Sequence, residues 1–112
     1  MSILITGGAG YIGSHMAHHL LEAGEDIVVL DNLSTGVEKN LPSNIAFTRG
    51  DIADQALVSR LIDTHKIDSV IHFAGSVVVP ESVEKPLDYY ANNTSGARNL
   101  IEACVRRGVP NF

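Results

Sequence analysis

A short apolar run, Ile3-Leu4-Ile5, leads directly into Thr6-Gly7-Gly8-Ala9-Gly10-Tyr11-Ile12-Gly13-Ser14-His15, which opens an amphipathic stretch. This order of strand, glycine turn and helix start constrains the chain more than any other feature, because it is the arrangement that receives a dinucleotide pyrophosphate. Glycines alone are a weak guide. Here a second apolar run, Ile27-Val28-Val29-Leu30, closes on Asp31, eighteen positions after Gly13. Such folds place the carboxylate that takes the ribose hydroxyls at that point. The spacing predicts that Gly7 or Gly8 permits the tight turn, that Gly10 lets the backbone approach the pyrophosphate, and that Gly13 lets the helix pack close to the sheet. A 2′-phosphate beside Asp31 would meet a like charge, at on the order of 4 kcal/mol per charge pair for an effective dielectric near 20. Asn32 and Leu33 supply no compensating cation, so the expected cofactor is NAD rather than NADP.

Apolar periodicity predicts strands at 2–6, 27–31, 45–49 and 69–74, helices at about 12–23, 54–65 and 87–107, and loops at 32–44 and 75–86. Alternation of this kind implies a parallel sheet covered by helices. The expected fold is therefore α/β, the first half of a Rossmann-type doubly wound parallel sheet with strand order 3-2-1-4. Residues 1–112 would form part of one NAD-binding domain, with the chain stopping before the later strands. In the first helix Ile12, Met16 and Leu20 are expected on one face beside Ala17 and Leu21, with Gly24 as a left-handed cap. Asp54 suits the N-cap of the second helix, with Leu57, Leu61 and Ile62 facing inward. Pro86 suits the first turn of the third, which should end at Gly108 before Pro110.

Bulk properties exclude several classes. Eight basic residues against thirteen acidic ones leave a net charge of -5, and only Arg106 and Arg107 adjoin, so no basic stripe exists to follow a nucleic-acid backbone. No apolar run approaches the roughly 18 to 20 residues of a membrane span, and the N-terminus does not look like a signal peptide. A cytoplasmic location is expected. Cys104 is the single cysteine; it cannot form an internal disulfide and is expected in the core.

Further segments sharpen the picture. Asp31-Asn32-Leu33-Ser34-Thr35-Gly36, Gly50-Asp51-Ile52, Val70-Ile71-His72-Phe73-Ala74-Gly75, Pro80-Glu81-Ser82-Val83 and Tyr89-Tyr90-Ala91-Asn92-Asn93-Thr94 accompany the glycine turn. Together they resemble the N-terminal part of the UDP-glucose 4-epimerases, a group of extended short-chain dehydrogenases/reductases, along the whole chain. The resemblance implies that Tyr11 and Ile12 touch the pyrophosphate, that Asp31, Asn32, Leu33, Ser34, Thr35 and Gly36 line the adenosine ribose side, and that Asp51 and Ile52 meet the adenine. Phe73, Ala74, Gly75 and Asn92 would meet the nicotinamide half. Many family members carry a lysine two residues after the Ala-Gly pair, where this chain has Val77.

The family's reaction interconverts UDP-glucose and UDP-galactose through a 4-keto sugar, by hydride transfer at C4 to bound NAD and back. Its base is the Tyr of a Tyr-x-x-x-Lys motif. Here Tyr11, Tyr89 and Tyr90 are followed four residues later by His15, Asn93 and Thr94, so no residue of this chain is assigned as catalytic, and the base and its lysine are expected beyond Phe112. A related epimerase, dehydratase or decarboxylase of another nucleotide sugar, and an NAD-binding module without chemistry, are the alternatives. The resemblance also implies a homodimer through helix 87–107, whose Leu87, Ala91, Leu100, Ile101, Cys104 and Val105 exceed what one sheet face needs.

Other candidates read as structural. His15 and His19, four apart with His18 adjacent, have metal-capable spacing, but the sequence suggests no third ligand, so no metal is expected. His72 should be a buried neutral imidazole bonded to backbone, and Glu81 and Glu84 solvated loop carboxylates.

Overall fold

The computed structural model describes residues 2–76 and 79–112. The elements run β1 (Ser2–Thr6), α1 (Tyr11–Glu22), β2 (Asp26–Asp31), β3 (Ala46–Arg49), α2 (Gln55–His65), β4 (Ile67–His72), α3 (Val79–Glu84), α4 (Pro86–Tyr90) and α5 (Gly96–Arg106). The four strands form one parallel sheet in the order β3-β2-β1-β4, as the alternating pattern predicts. Through β4 the order of strands and long helices is the one that periodicity predicts.

Strand residues alternate between two cores because successive side chains leave a strand on opposite faces. Leu4, Val28, Leu30 and Val70 join Ile52, Val58, Leu61, Ile62, Leu100, Ala103 and Cys104 on the face covered by α2 and α5. Ile5, Ile27 and Val29 pack with Ala17 on the face covered by α1, together with Leu20, Leu21 and Phe73. Cys104 is a buried core residue, as expected, and burial pushes its thiol pKa up.

Each crossover helix ends on a left-handed residue. After α1, Gly24 (φ +85°) donates to the Leu21 carbonyl and Glu25 to that of Leu20, a Schellman pair. After α5, Gly108 (φ +71°) donates to Val105 and Val109 to Cys104 in the same way. Lys66 (φ 53°) performs this role after α2. At the other end of α2 the Asp54 carboxylate accepts the Leu57 N–H at 3.1 Å. Asp54→Ala is expected to remove about 1 kcal/mol of stability, measured by urea unfolding.

Several expectations are corrected. Ile12 does not share a buried face with Met16 and Leu20; it is 64% exposed, because α1 meets the sheet through Gly13, Ser14 and Ala17. The fourth strand spans 67–72 instead of 69–74, since Lys66 ends α2 one residue earlier and Phe73 leaves the sheet. The segment 75–86 is not all loop: α3 occupies Val79–Glu84, so Glu81 and Glu84 are exposed on a helix. The helix expected at 87–107 is helical from Pro86 to Arg106 but contains a π turn at Ala91–Ser95, where the Gly96 N–H bonds the Ala91 carbonyl five residues back. Val77 lies outside the described residues.

Candidate functional site

Parallel topology brings the C-terminal ends of all four strands to one edge, where doubly wound sheets form their crevice. A cleft opens there, lined from the β1 side by Gly7 and Gly10, from β2 by Leu30, Asp31, Asn32, Ser34 and Thr35, from β3 by Gly50, Asp51 and Ile52, and from β4 by Phe73, Ala74 and Gly75; Asn92 closes it. These groups are distant in sequence and converge only through the fold.

Gly7 makes the turn possible. Its φ of +69° is left-handed, and a Cβ there would lie 2.7 Å from the Ala74 nitrogen and 2.8 Å from the Phe73 carbonyl carbon. Gly13 is required for a different reason: a Cβ would collide with the Gly7 carbonyl oxygen and sit 2.9 Å from the Gly8 Cα. Close approach fixes the start of α1 against the turn. Gly10 is the N-cap residue, and no side chain caps this end of the helix. The first N–H groups of a helix have no partners within it and carry the positive end of its dipole, so this end suits an anion.

Asp31 is buried, and each carboxylate oxygen already accepts a backbone N–H: Oδ2 from Ala9 at 2.9 Å and Oδ1 from Leu33 at 2.7 Å. It therefore ties the glycine turn to the loop after β2. That loop is further held by Val37 N–H to the Ala9 carbonyl at 3.0 Å and by Ser34 N–H to Asn32 Oδ1 at 3.0 Å. Leu33 adopts φ 60° within these ties. A carboxylate has about four acceptor positions, so Asp31 retains capacity for donors arriving from the cleft. Asp51 accepts the Ala53 N–H at 2.9 Å and the Asn32 amide at 3.4 Å.

Of the residues singled out in the sequence, Gly7, Gly10, Asp31, Asn32, Ser34, Thr35, Asp51, Ile52, Phe73, Ala74, Gly75 and Asn92 line this cleft. Tyr11, Ile12, Gly13, Leu33 and Gly36 do not. Tyr11 and Ile12 stand exposed at the start of α1, Leu33 is held by Asp31, and Gly36 lies against it, a Cβ there falling 2.9 Å from Asp31 Oδ2. Sequence reasoning missed Leu30 and Gly50 as lining residues. Gly50 directly follows β3, at the strand end where the topology gathers its site.

His72 corrects another expectation. It is half-buried, and its Nδ1 pairs with the Thr6 hydroxyl at 2.6 Å, not with backbone. Thr6 Oγ1 also accepts the Ala74 N–H at 3.4 Å, so the hydroxyl joins β1 both to His72 and to the segment after β4. Burial lowers the His72 pKa. The unfolded chain, with an ordinary imidazole near pH 6.5, binds this proton more readily than the native one. Stability should therefore hold above pH 6.5 and fall as the pH drops below it. His72→Asn keeps an acceptor without titrating, and its melting temperature should decline less than that of the unsubstituted chain between pH 7 and pH 5.

His15 and His18 bond the carbonyls of Tyr11 and Asn40 at 2.7 and 2.8 Å, and among the described residues no group of His, Cys, Asp or Glu can hold a metal ion. No helix among them is long and apolar enough to cross a membrane.

Residues 3–112 match the model of the NAD dependent epimerase/dehydratase family. The chain belongs to that family. Members similar to it include a UDP-glucose 4-epimerase of Azospirillum brasilense, 50% identical over 107 residues that make up 96% of this chain and 31% of that protein. A UDP-glucose 4-epimerase of Klebsiella pneumoniae is 44% identical over 119 aligned residues, covering all of this chain and 86% of that protein. The crystal structure of the Thermus thermophilus UDP-glucose 4-epimerase in complex with NAD superposes with a TM-score of 0.93 at 42% identity, over 97% of this chain and 35% of that one. The chain thus spans about a third of the length of the Azospirillum and Thermus family members.

Proposed function

We propose that residues 1–112 are the NAD-binding part of a UDP-glucose 4-epimerase. The observation that carries this reading is the convergence of the Gly7 turn, the uncapped start of α1, Asp31 and the Phe73–Gly75 segment on one cleft. In this reading the α1 N-terminus with Gly10, Tyr11, Ile12 and Gly13 holds the pyrophosphate. Asp31 and its loop to Gly36 hold the adenosine ribose, Asp51 and Ile52 the adenine, and Phe73, Ala74, Gly75 and Asn92 the nicotinamide half. Bound NAD supplies the hydride acceptor and donor for inverting C4 of a UDP-sugar. This chain binds and orients it, while the tyrosine base that the reaction needs is not among these residues.

The same reading makes the protein a cytoplasmic homodimer, with no nucleic-acid or membrane partner. Support for the dimer comes from α4 and α5, where Leu87, Ile101 and Val105 are 81%, 45% and 73% exposed. An apolar surface of this kind suits a helical partner.

Calorimetric titration with NAD and NADP, paired with a UDP-galactose turnover assay, tests the proposal. Binding of NAD without turnover is the expected result. Turnover by these 112 residues would overturn the division of labour, and absence of NAD binding would overturn the assignment of the cleft.

A further inference from the structure

The segment Phe73–Ser76 crosses the cleft between two anchors. On the β1 side, the Phe73 N–H donates to the Thr6 carbonyl at 2.9 Å and the Ala74 N–H to the Thr6 hydroxyl. On the helical side, one side chain grips both polar groups of a single residue: Asn93 Oδ1 accepts the Ser76 N–H at 2.6 Å, and Asn93 Nδ2 donates to the Ser76 carbonyl at 2.9 Å. Its neighbour Asn92 donates to the Ser76 hydroxyl at 2.6 Å. Both asparagines that reach this residue lie in the π turn Ala91–Ser95, the one place where this helix departs from α geometry. Widened turns of this kind recur at functional sites. Gly75 accommodates the grip, since a Cβ there would stand 3.3 Å from Asn93 Oδ1.

Asn92 and Gly75 line the cleft, whereas Asn93 is exposed and does not. A side chain outside the site thus fixes the backbone inside it. We propose that Asn93 is a positioning residue: it fixes the Gly75–Ser76 peptide, and with it the Asn92 amide, for the nicotinamide half of a bound dinucleotide. The inference rests on the reading of the cleft as an NAD site. Its distinctive consequence is selectivity within one ligand, because the adenosine half is held by Asp31, Asp51 and their loops, which Asn93 does not touch.

The test titrates the whole chain, unsubstituted and as Asn93→Ala, with NAD and separately with ADP, which carries only the adenosine half. The expected result is ADP affinity unchanged within about twofold and NAD affinity about tenfold weaker, the effect of losing two modest hydrogen bonds from a preorganised segment. Hydrogen exchange at the Ser76 amide should also become faster in the variant, with or without ligand. Equal losses for both ligands would mean a merely structural role, and an unchanged NAD affinity would mean none; either overturns the proposal. An unsubstituted chain that binds ADP but not NAD also overturns it, while one that binds neither brings down the reading of the cleft itself. Should Asn93→Ala fail to fold, Asn93→Asp keeps the acceptor for the Ser76 N–H without the donor, and the same comparison decides.

Discussion

Gly7→Ala is expected to destabilise the chain by about 3 kcal/mol and to abolish NAD binding in the concentration range where the unsubstituted chain saturates. Two penalties combine. A left-handed φ costs a residue with a Cβ about 1–2 kcal/mol, and the added carbon would press on the backbone of Phe73 and Ala74 at 2.7 to 2.9 Å, with overpacking adding about 1–3 kcal/mol. Backbone on both sides cannot swing away as a flexible side chain would. Gly24→Ala isolates the first penalty: its φ is +85° with nothing within 4 Å of the added carbon, so it should cost about 1 kcal/mol and leave ligand binding intact. Denaturant unfolding of the two variants checks this difference. Equal losses would show that conformation, not the approach of the β4 segment, governs the turn.

Asp31→Ala should act on stability and selectivity together. Removing the carboxylate strands the Ala9 and Leu33 N–H groups, for a loss of about 3 kcal/mol at 1–3 kcal/mol per unsatisfied buried donor. Leu33 also loses the bond that supports its positive φ. The preference for NAD over NADP should fall several hundredfold, since the like-charge repulsion that disfavours a 2′-phosphate is worth on the order of 4 kcal/mol. Unfolding curves and paired titrations with the two dinucleotides measure both effects. A variant that retained the preference would place the discrimination outside Asp31.

The fold and the outline of the site were legible in the sequence where the governing rule is local. Continuous apolar runs mark β1 and β2, the glycine turn follows from its neighbours, and Asp31 is found by counting from Gly13. The misreadings share a cause, which is that the deciding contact is remote or the signal weak. Ile12 looks like a core residue by periodicity, yet α1 approaches the sheet through glycine and other small residues, which rotates Ile12 outward. His72 finds its partner 66 positions away on the neighbouring strand. The π turn exists alongside the bonds that Asn92 and Asn93 make to Ser76, and no local pattern announces it. The short α3, with Pro80 in its first turn, carries too little apolar repeat to stand out from a loop.

The left-handed residues that end α1, α2 and α5 bear on how the chain finds its topology. Parallel pairing joins residues far apart in sequence and is slow to assemble for that reason. Here β2 begins two residues after Gly24 and β4 one residue after Lys66, while three residues after Gly108 Asn111 bridges to Ser69. Each helix therefore hands the chain back toward the sheet through a turn specified within a few residues of its own end. The search for distant strand partners thus begins with the direction of return specified locally at three helix ends.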